Sequence, residues 1–261
     1  MDEVRVAIVG MGIGRANGRG ILSNPRGRIT AICDLIEEKM INFAKELPEP
    51  VKMYVDYKEM CQDPDIDAVM VATPNVVHVP VALEAVKNGK HVLATKPLAD
   101  SEAPARELVE VAEASGLVNM MSLSLRFSNA VIAMNDLVQQ GLMGEIYYAH
   151  ASSIRRVGIP GANKNALHFI QKGGGAFRDM GVHVLDTVWS LMGFPKPVSV
   201  LGVAGAKFGP RGQAYWNVAQ QPPPEYYNQF DVDDYGGGFI RFENGAGLQV
   251  ESLWALSHIH I

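Results

Sequence analysis

The stretch Gly173-Gly174-Gly175-Ala176-Phe177-Arg178-Asp179-Met180-Gly181-Val182-His183-Val184-Leu185-Asp186 concentrates side chains able to hold and move protons. A helix starting near Phe177 advances about 100° per residue, which lines up Asp179, His183, Asp186 and Ser190 on one narrow stripe. Most other positions are apolar (Met180, Val182, Val184, Leu185, Val188, Trp189, Leu191, Met192), and a helix greasy around most of its circumference is normally buried. Buried charge without a partner is costly, so the stripe must meet partners or a wet cavity. An imidazole beside carboxylates exchanges protons near neutral pH, which is the equipment of a general base. The bland alternative is a surface helix whose stripe meets water. Against it stand the glycine triplet, which frees the backbone for close approach to something, and Gly181, which removes a side chain facing a neighbour.

The elements upstream read as a device for delivering a cofactor. Val4-Arg5-Val6-Ala7-Ile8-Val9 is a short apolar strand that ends in Gly10-Met11-Gly12-Ile13-Gly14, after which a helix runs to about Leu22. Side chains at such a turn would keep its N–H groups from a pyrophosphate resting on the helix N-terminus. A second strand over 29–33 ends in Asp34, placed to accept hydrogen bonds from a ribose 2′-hydroxyl and to repel a 2′-phosphate, which argues for NAD over NADP. Arg15, where the usual spacing wants a small residue, offers a phosphate contact that softens this preference.

Strands and helices then alternate: a helix over 37–47, a buried strand over 67–72, a helix over 77–88, a strand over 91–94, a helix over 102–115 and a strand over 117–121. Such βαβ repetition predicts a parallel sheet with ligands at its C-terminal strand ends. Two strand ends carry unusual residues, Thr73-Pro74-Asn75 with His78, and Thr95-Lys96-Pro97. Each Pro could be only a rigid turn, His78 a helix-surface residue and Lys96 a solvated lysine, but a lysine at the mouth of the sheet just before a fixed Pro reads as a directed ammonium.

Beyond residue 123 the rhythm changes. A helix over 129–141, a long alternating strand over 146–154 and strands over 198–204, 237–242 and 248–256, the last two joined by an Asn244-Gly245 turn, predict an α+β module with a largely antiparallel open sheet. The fold class is thus α/β, with a Rossmann dinucleotide-binding domain over 1–123 and a substrate-binding and oligomerisation domain over 124–261. Residues 205–230, with Tyr215, Trp216, Tyr226 and Tyr227, are too aromatic for a spacer and read as an ordered loop near a site or subunit contact. His258 and His260 alternate as a metal pair would, but an exposed chain end is the stronger expectation, and no metal site is expected.

Composition narrows the function further. Hydrophobic content of 48% with 20% charged residues is ordinary for a globular protein, and a net charge of −5 without a Lys/Arg cluster gives no footprint for nucleic acid. No apolar run reaches membrane-spanning length, and the strand pattern begins too early for a signal segment. Cys33 and Cys61 make neither a disulfide framework nor a metal spacing, so a reduced cytoplasmic setting is expected.

Taken together, the glycine turn, Ala72-Thr73-Pro74-Asn75-Val76-Val77-His78, Gly89-Lys90-His91-Val92-Leu93-Ala94-Thr95-Lys96-Pro97-Leu98 and the Asp179/His183 helix resemble the glucose-fructose oxidoreductase and inositol dehydrogenase (Gfo/Idh/MocA) family over essentially the whole chain. The resemblance implies oxidation of a ring hydroxyl of a sugar or cyclic polyol, or the reverse reduction, with NAD, and a homodimer or homotetramer built through the C-terminal sheet. It makes Lys96 the lysine that holds the reacting hydroxyl, Asp179 the group that orients substrate or base, and His183 the general base. It places Gly10, Gly12, Ile13, Gly14, Asp34, Thr73, Pro74, Asn75, His78, Thr95 and Lys96 along the cofactor, and Lys96, Asp179 and His183 along the substrate; Arg155 and Arg156, following the long strand, read as further substrate contacts, though paired arginines on a loop are more often solvated. Nicotinamide is expected to lie against the His183 imidazole in a crevice shared by the two domains. Thr95 stands where the family usually has Glu, and the family generally continues with further strands where this chain stops, so either the second sheet lacks an edge or the sequence is cut short. Two other activities fit the same resemblance: a dinucleotide-binding regulatory protein without turnover, and an NAD-assisted glycoside hydrolase or lyase.

Overall fold

The computed structural model describes residues 3–161, 166–216 and 221–256, and the chain divides after Ser122 into two compact units. In the first, six strands lie in the order β3-β2-β1-β4-β5-β6: β1 (Val4–Val9), β2 (Gly27–Cys33), β3 (Lys52–Tyr54), β4 (Ala68–Val71), β5 (His91–Thr95) and β6 (Asn119–Ser122). Every pairing is parallel. The strand order reverses between β1 and β4, the kind of switch point where such sheets bind ligands.

Strand alternation divides the core into two layers. Ala7 and Val9 of β1 join Val69 and Val71 under α4 (His78–Lys87), whose Val79, Val81, Ala82, Leu83, Ala85 and Val86 are buried. Val6 and Ile8 point the other way, packing with Ile29, Ile32, Met40 and Phe43 beneath α1 (Gly14–Leu22) and α2 (Glu37–Ala44). α5 (Glu102–Ser115) completes the α4 side through Leu108.

Two small elements were not expected from the sequence, β3 and α3 (Tyr57–Cys61), and a polar knot holds them. Lys52 Nζ lies 2.8 Å from both Asp63 Oδ2 and Asp65 Oδ2, Tyr54 donates to Asp63 Oδ2 at 2.7 Å, and Lys90 Nζ donates to the Asp63 and Ile66 carbonyls at 2.8 Å each. Burial alone would raise the Asp63 carboxyl, but the bonds from Lys52, the Asp65 N–H and Tyr54 outweigh it and hold the group at about 2. Its folded-state value is depressed, so the stabilisation is present above the ordinary carboxylate range and is lost as pH falls towards about 2. Lys52→Met is expected to lower the melting temperature by a few degrees at neutral pH, with the deficit shrinking in melts run at progressively lower pH; a deficit unchanged by acid would exclude the ion pair as its source.

The second unit holds a sheet in the order β7-β10-β9-β8: β7 (Tyr148–Ile154), β8 (Pro197–Gly205), β9 (Tyr235–Phe242) and β10 (Gly247–Leu253). β8, β9 and β10 pair antiparallel, but β7 runs parallel to β10, so the sheet is mixed. Gly245 (φ +87°) sits in the expected turn between β9 and β10. α6 (Asn129–Gln139) begins on Ser128, whose hydroxyl caps it. After the short α7 (Leu167–Ile170) comes α8 (Val182–Leu191), which covers one sheet face with Val184, Leu185, Val188 and Trp189 over Ala151, Phe242, Leu248 and Val250. On the other face the Tyr148 and Phe239 rings stack, and His150 Nε2 lies 3.0 Å from Glu251 Oε1.

The aromatic segment over 205–230 is ordered in its described part. Tyr215 and Tyr226 are buried in a cluster with Trp254, next to α9 (Pro224–Tyr227). Asp234 anchors the start of this segment, accepting backbone hydrogen bonds from Lys207, Phe208 and Gly209 at 2.7–3.0 Å. Among the described residues no helix is long and apolar enough to cross a membrane.

Candidate active site

In the first unit the three turn glycines serve different ends. Gly10 has φ +94°, and a Cβ there would stand 2.4 Å from the Ala72 carbonyl oxygen. Gly14 opens α1 so close to β1 that a Cβ would meet Ile8 Cγ2 at 2.9 Å. A Cβ on Gly12 would meet nothing within 4 Å; that side of the loop is open for a ligand's approach. Gly10→Ala is therefore expected to destabilise the fold through strain and overlap, whereas Gly12→Ala should melt like wild type and weaken dinucleotide binding. Thermal melts beside calorimetric titration with NAD test the contrast, and equal stability losses would contradict it.

Asp34, at the end of β2, is built into this turn: its Oδ2 accepts from the Met11 N–H at 2.7 Å and its Oδ1 from the Ile36 N–H at 2.9 Å. Ile13 is exposed at the helix start. Arg15 does not reach towards the turn; its guanidinium pairs with Glu46, which also binds Arg19 at 2.8 Å. At the end of β4, Thr73 Oγ1 is buried without a hydrogen-bond partner among the described residues, and the exposed Pro74 leads into a 3-10 turn over Asn75–Val77. Open space at Gly12, the helix N-terminus behind it and the orphaned Thr73 hydroxyl all fit a dinucleotide. A cavity of about 620 Å³ in this unit, lined by Asn17, Ile21, Asn24, Met70 and Leu93 among others, includes none of these residues.

Two residues expected along the cofactor are instead turned inward. His78 is only 1% exposed; its Nδ1 lies 2.7 Å from the Pro97 carbonyl and its Nε2 2.8 Å from the Thr73 carbonyl. Its ring braces two strand-end loops and has no surface left for a ligand. The buried Thr95 hydroxyl donates to the Val71 carbonyl at 3.1 Å and lies 3.2 Å from His78 Nε2. Lys96 follows, partly buried, ahead of a cis bond to Pro97.

In the second unit the glycine triplet admits protein. A Cβ on Gly174 would lie 2.0 Å from the Phe169 carbonyl oxygen, and one on Gly175 (φ +108°) 2.2 Å from Asp233 Oδ1. Asp233 Oδ2 in turn accepts from the Phe177 N–H at 2.9 Å and starts the helical segment. That segment begins near Phe177 as expected, but its first turn, Phe177–Gly181, is a π-helix before α8 continues. The uniform 100° step therefore fails between Asp179 and His183; such wide turns recur at functional sites.

The four-residue stripe accordingly splits. Asp186 is buried against Arg126, whose Nε lies 2.6 Å from Asp186 Oδ2 while Nη2 binds the other oxygen. Ser190 donates to the Thr187 carbonyl of its own helix at 2.7 Å. Asp179 and His183 remain as the candidate pair, and Asp179 Oδ2 accepts from the indole N–H of the fully buried Trp254 at 3.1 Å. A Cβ on Gly181 would meet the Phe177 ring and Ser252 Cβ at 3.1 Å, which is why that position carries no side chain. Arg156 is exposed after β7. Trp254, Arg126 and Asp233 escaped the sequence reading, since nothing in their local spacing ties them to residues more than 50 positions away. No group of three or more His, Cys, Asp or Glu among the described residues could hold a metal ion; His258 and His260 lie outside those residues.

Residues 4–123 match the model of an oxidoreductase family with an NAD-binding Rossmann fold, and residues 111–259 match the GFO/IDH/MocA C-terminal domain. The chain belongs to the GFO/IDH/MocA oxidoreductase family. It is similar to D-glucoside 3-dehydrogenase of Escherichia coli, at 30% identity over 98% of this chain and 72% of that one. It is 27% identical to the NAD-named scyllo-inositol 2-dehydrogenase of Bacillus subtilis, over 96% of this chain and 67% of the relative. A crystal structure of an oxidoreductase domain protein from Kribbella flavida shares the fold with a TM-score of 0.83 at 22% identity, over 99% of this chain and 69% of that one.

Proposed function

We propose that this GFO/IDH/MocA oxidoreductase is an NAD-dependent dehydrogenase acting on a ring hydroxyl, or the matching ketone, of a sugar or cyclic polyol. The carrying observation is Asp179 on its π turn, its carboxylate gripped by a buried indole, with His183 on the helix that follows, in a chain whose relatives are named as glucoside and inositol dehydrogenases. The half-buried His183 imidazole takes the proton from the reacting hydroxyl. Asp179, its oxygen fixed by Trp254, orients the substrate or the base. Lys96 holds the oxygen as its charge develops, with Arg156 a further substrate contact. Gly10, Gly12, Ile13, Gly14, Asp34, Thr73, Pro74 and Asn75 hold the dinucleotide; bound NAD supplies the hydride acceptor. Asp34 supports NAD over NADP, because a carboxylate accepts from a ribose hydroxyl and repels a phosphate. The association proposed with this activity is a homodimer or homotetramer through the C-terminal sheet.

The test is NADH formation, followed by absorbance, with a panel of sugars, glucosides and inositols, beside calorimetric titration with NAD and NADP. Turnover of at least one cyclic polyol with NAD is expected. Tight NAD binding with no turnover of any substrate would replace this reading with that of a dinucleotide-binding regulator.

A further inference from the structure

His78 belongs to no part of the chemistry described so far, yet it ties together the two strand-end loops on which that chemistry depends. Both nitrogens of its imidazole lie against main-chain carbonyls of different loops: Nδ1 on Pro97 at 2.7 Å and Nε2 on Thr73 at 2.8 Å. Thr95 Oγ1, already donating to Val71, lies a further 3.2 Å from Nε2. Carbonyl oxygens only accept, so a ring nitrogen that carries hydrogen donates to the carbonyl it faces, and the ring sits within hydrogen-bonding distance of both loops. With the ring 1% exposed, water cannot replace either contact.

We propose that His78 is a positioning residue that acts through Lys96: its contact with Pro97 sets the Lys96 backbone, and its contact with Thr73 sets the turn that receives the dinucleotide. The proposal rests on the reading of Lys96 and of the NAD turn given above. It predicts that the two halves of the ring have separable effects. An asparagine amide reproduces the Nδ1 position and a glutamine amide the Nε2 position, so His78→Asn keeps the Pro97 link and His78→Gln keeps the Thr73 link.

Three readouts on the full chain decide the matter: NAD affinity by calorimetry, kcat on the best polyol, and the rate at which trinitrobenzenesulfonate labels Lys96 in the NAD-free protein, followed by peptide mass spectrometry. His78→Gln should lower kcat by about ten- to a hundredfold and change Lys96 labelling, with NAD affinity kept. His78→Asn should weaken NAD binding by on the order of tenfold, with Lys96 labelling and saturated kcat near wild type. His78→Phe, which fills the space and makes neither bond, should show both losses, and thermal melts accompany each variant to establish folding. Equal changes in the Asn and Gln variants, or a folded Phe variant that behaves as wild type, would overturn the positioning role. If wild type turns over no polyol, the dehydrogenase reading fails, while the labelling and calorimetry still decide the role of His78.

Discussion

His183→Ala is expected to lower kcat by about 10²–10⁴-fold while leaving the NAD dissociation constant near its wild-type value. The separation follows from where the residues lie in the fold: His183 is on α8 of the second unit, whereas the glycine turn and Asp34 belong to the first. The imidazole is carried on a helix that has little freedom to adjust. One turn further on, Asp186 is clamped by the Arg126 guanidinium, and the preceding turn is fixed by Asp233 and Trp254. A small substitute therefore leaves a hole where the proposed proton acceptor stood. Lys96→Met should produce a comparable loss by removing the charge that meets the developing oxyanion. If both residues serve one step, the double variant will be no slower than the slower single variant, since groups acting as a unit lose their effect together. Full activity in His183→Ala would remove it as the base, and strictly additive losses would assign the two residues to separate steps.

Asp234→Ala should destabilise the second unit strongly, by about 2–4 kcal/mol. The carboxylate is 1% exposed and accepts from three successive backbone N–H groups, those of Lys207, Phe208 and Gly209. Alanine leaves all three donors without that acceptor, and the bond from the Gly209 N–H is the one that lies fully buried. An unsatisfied buried group costs about 1–3 kcal/mol, and a typical domain has only about 5–15 kcal/mol in total. Asp234→Asn retains one acceptor oxygen and should cost less. The damage should also reach the candidate site, because the Asp234 carbonyl accepts from the Trp254 backbone N–H, and the Trp254 indole holds Asp179. Urea unfolding measures the loss; a change below about 1 kcal/mol would show that the loop finds other acceptors.

What could be read in the sequence was what is written locally. The first strand, its glycine turn and Asp34 were legible because an apolar run, a backbone that tolerates φ +94° and a carboxylate at the next strand end are each set by residue type. The Asp179/His183 pair was legible in the sequence as a candidate for chemistry. Its π turn was not, because the wide first turn arises beside Gly175 and the Asp233 carboxylate, supplied from 56 residues away. The same limit explains Asp186, read as part of a reactive stripe but consumed by Arg126, 60 positions earlier. His78 looked like a ligand-facing residue because nothing near it in the sequence shows that the Pro97 carbonyl comes within 2.7 Å. Alternation marked β7 as a strand but carries no information on direction, so its parallel pairing with β10 had to come from the structure. β3 is three residues long, too short for any period to show, and it stands on the Lys52–Asp63 link.

The two cysteines of the chain, Cys33 and Cys61, both sit in the interior of the first unit, where burial pushes each thiol up to about 12. A sulfur in that condition is almost never the reactive thiolate, so alkylating reagents reach it only when the surrounding layers part. Modification kinetics thus provide a built-in clock for the breathing of the Rossmann half, silent to any loosening of the half that carries His183.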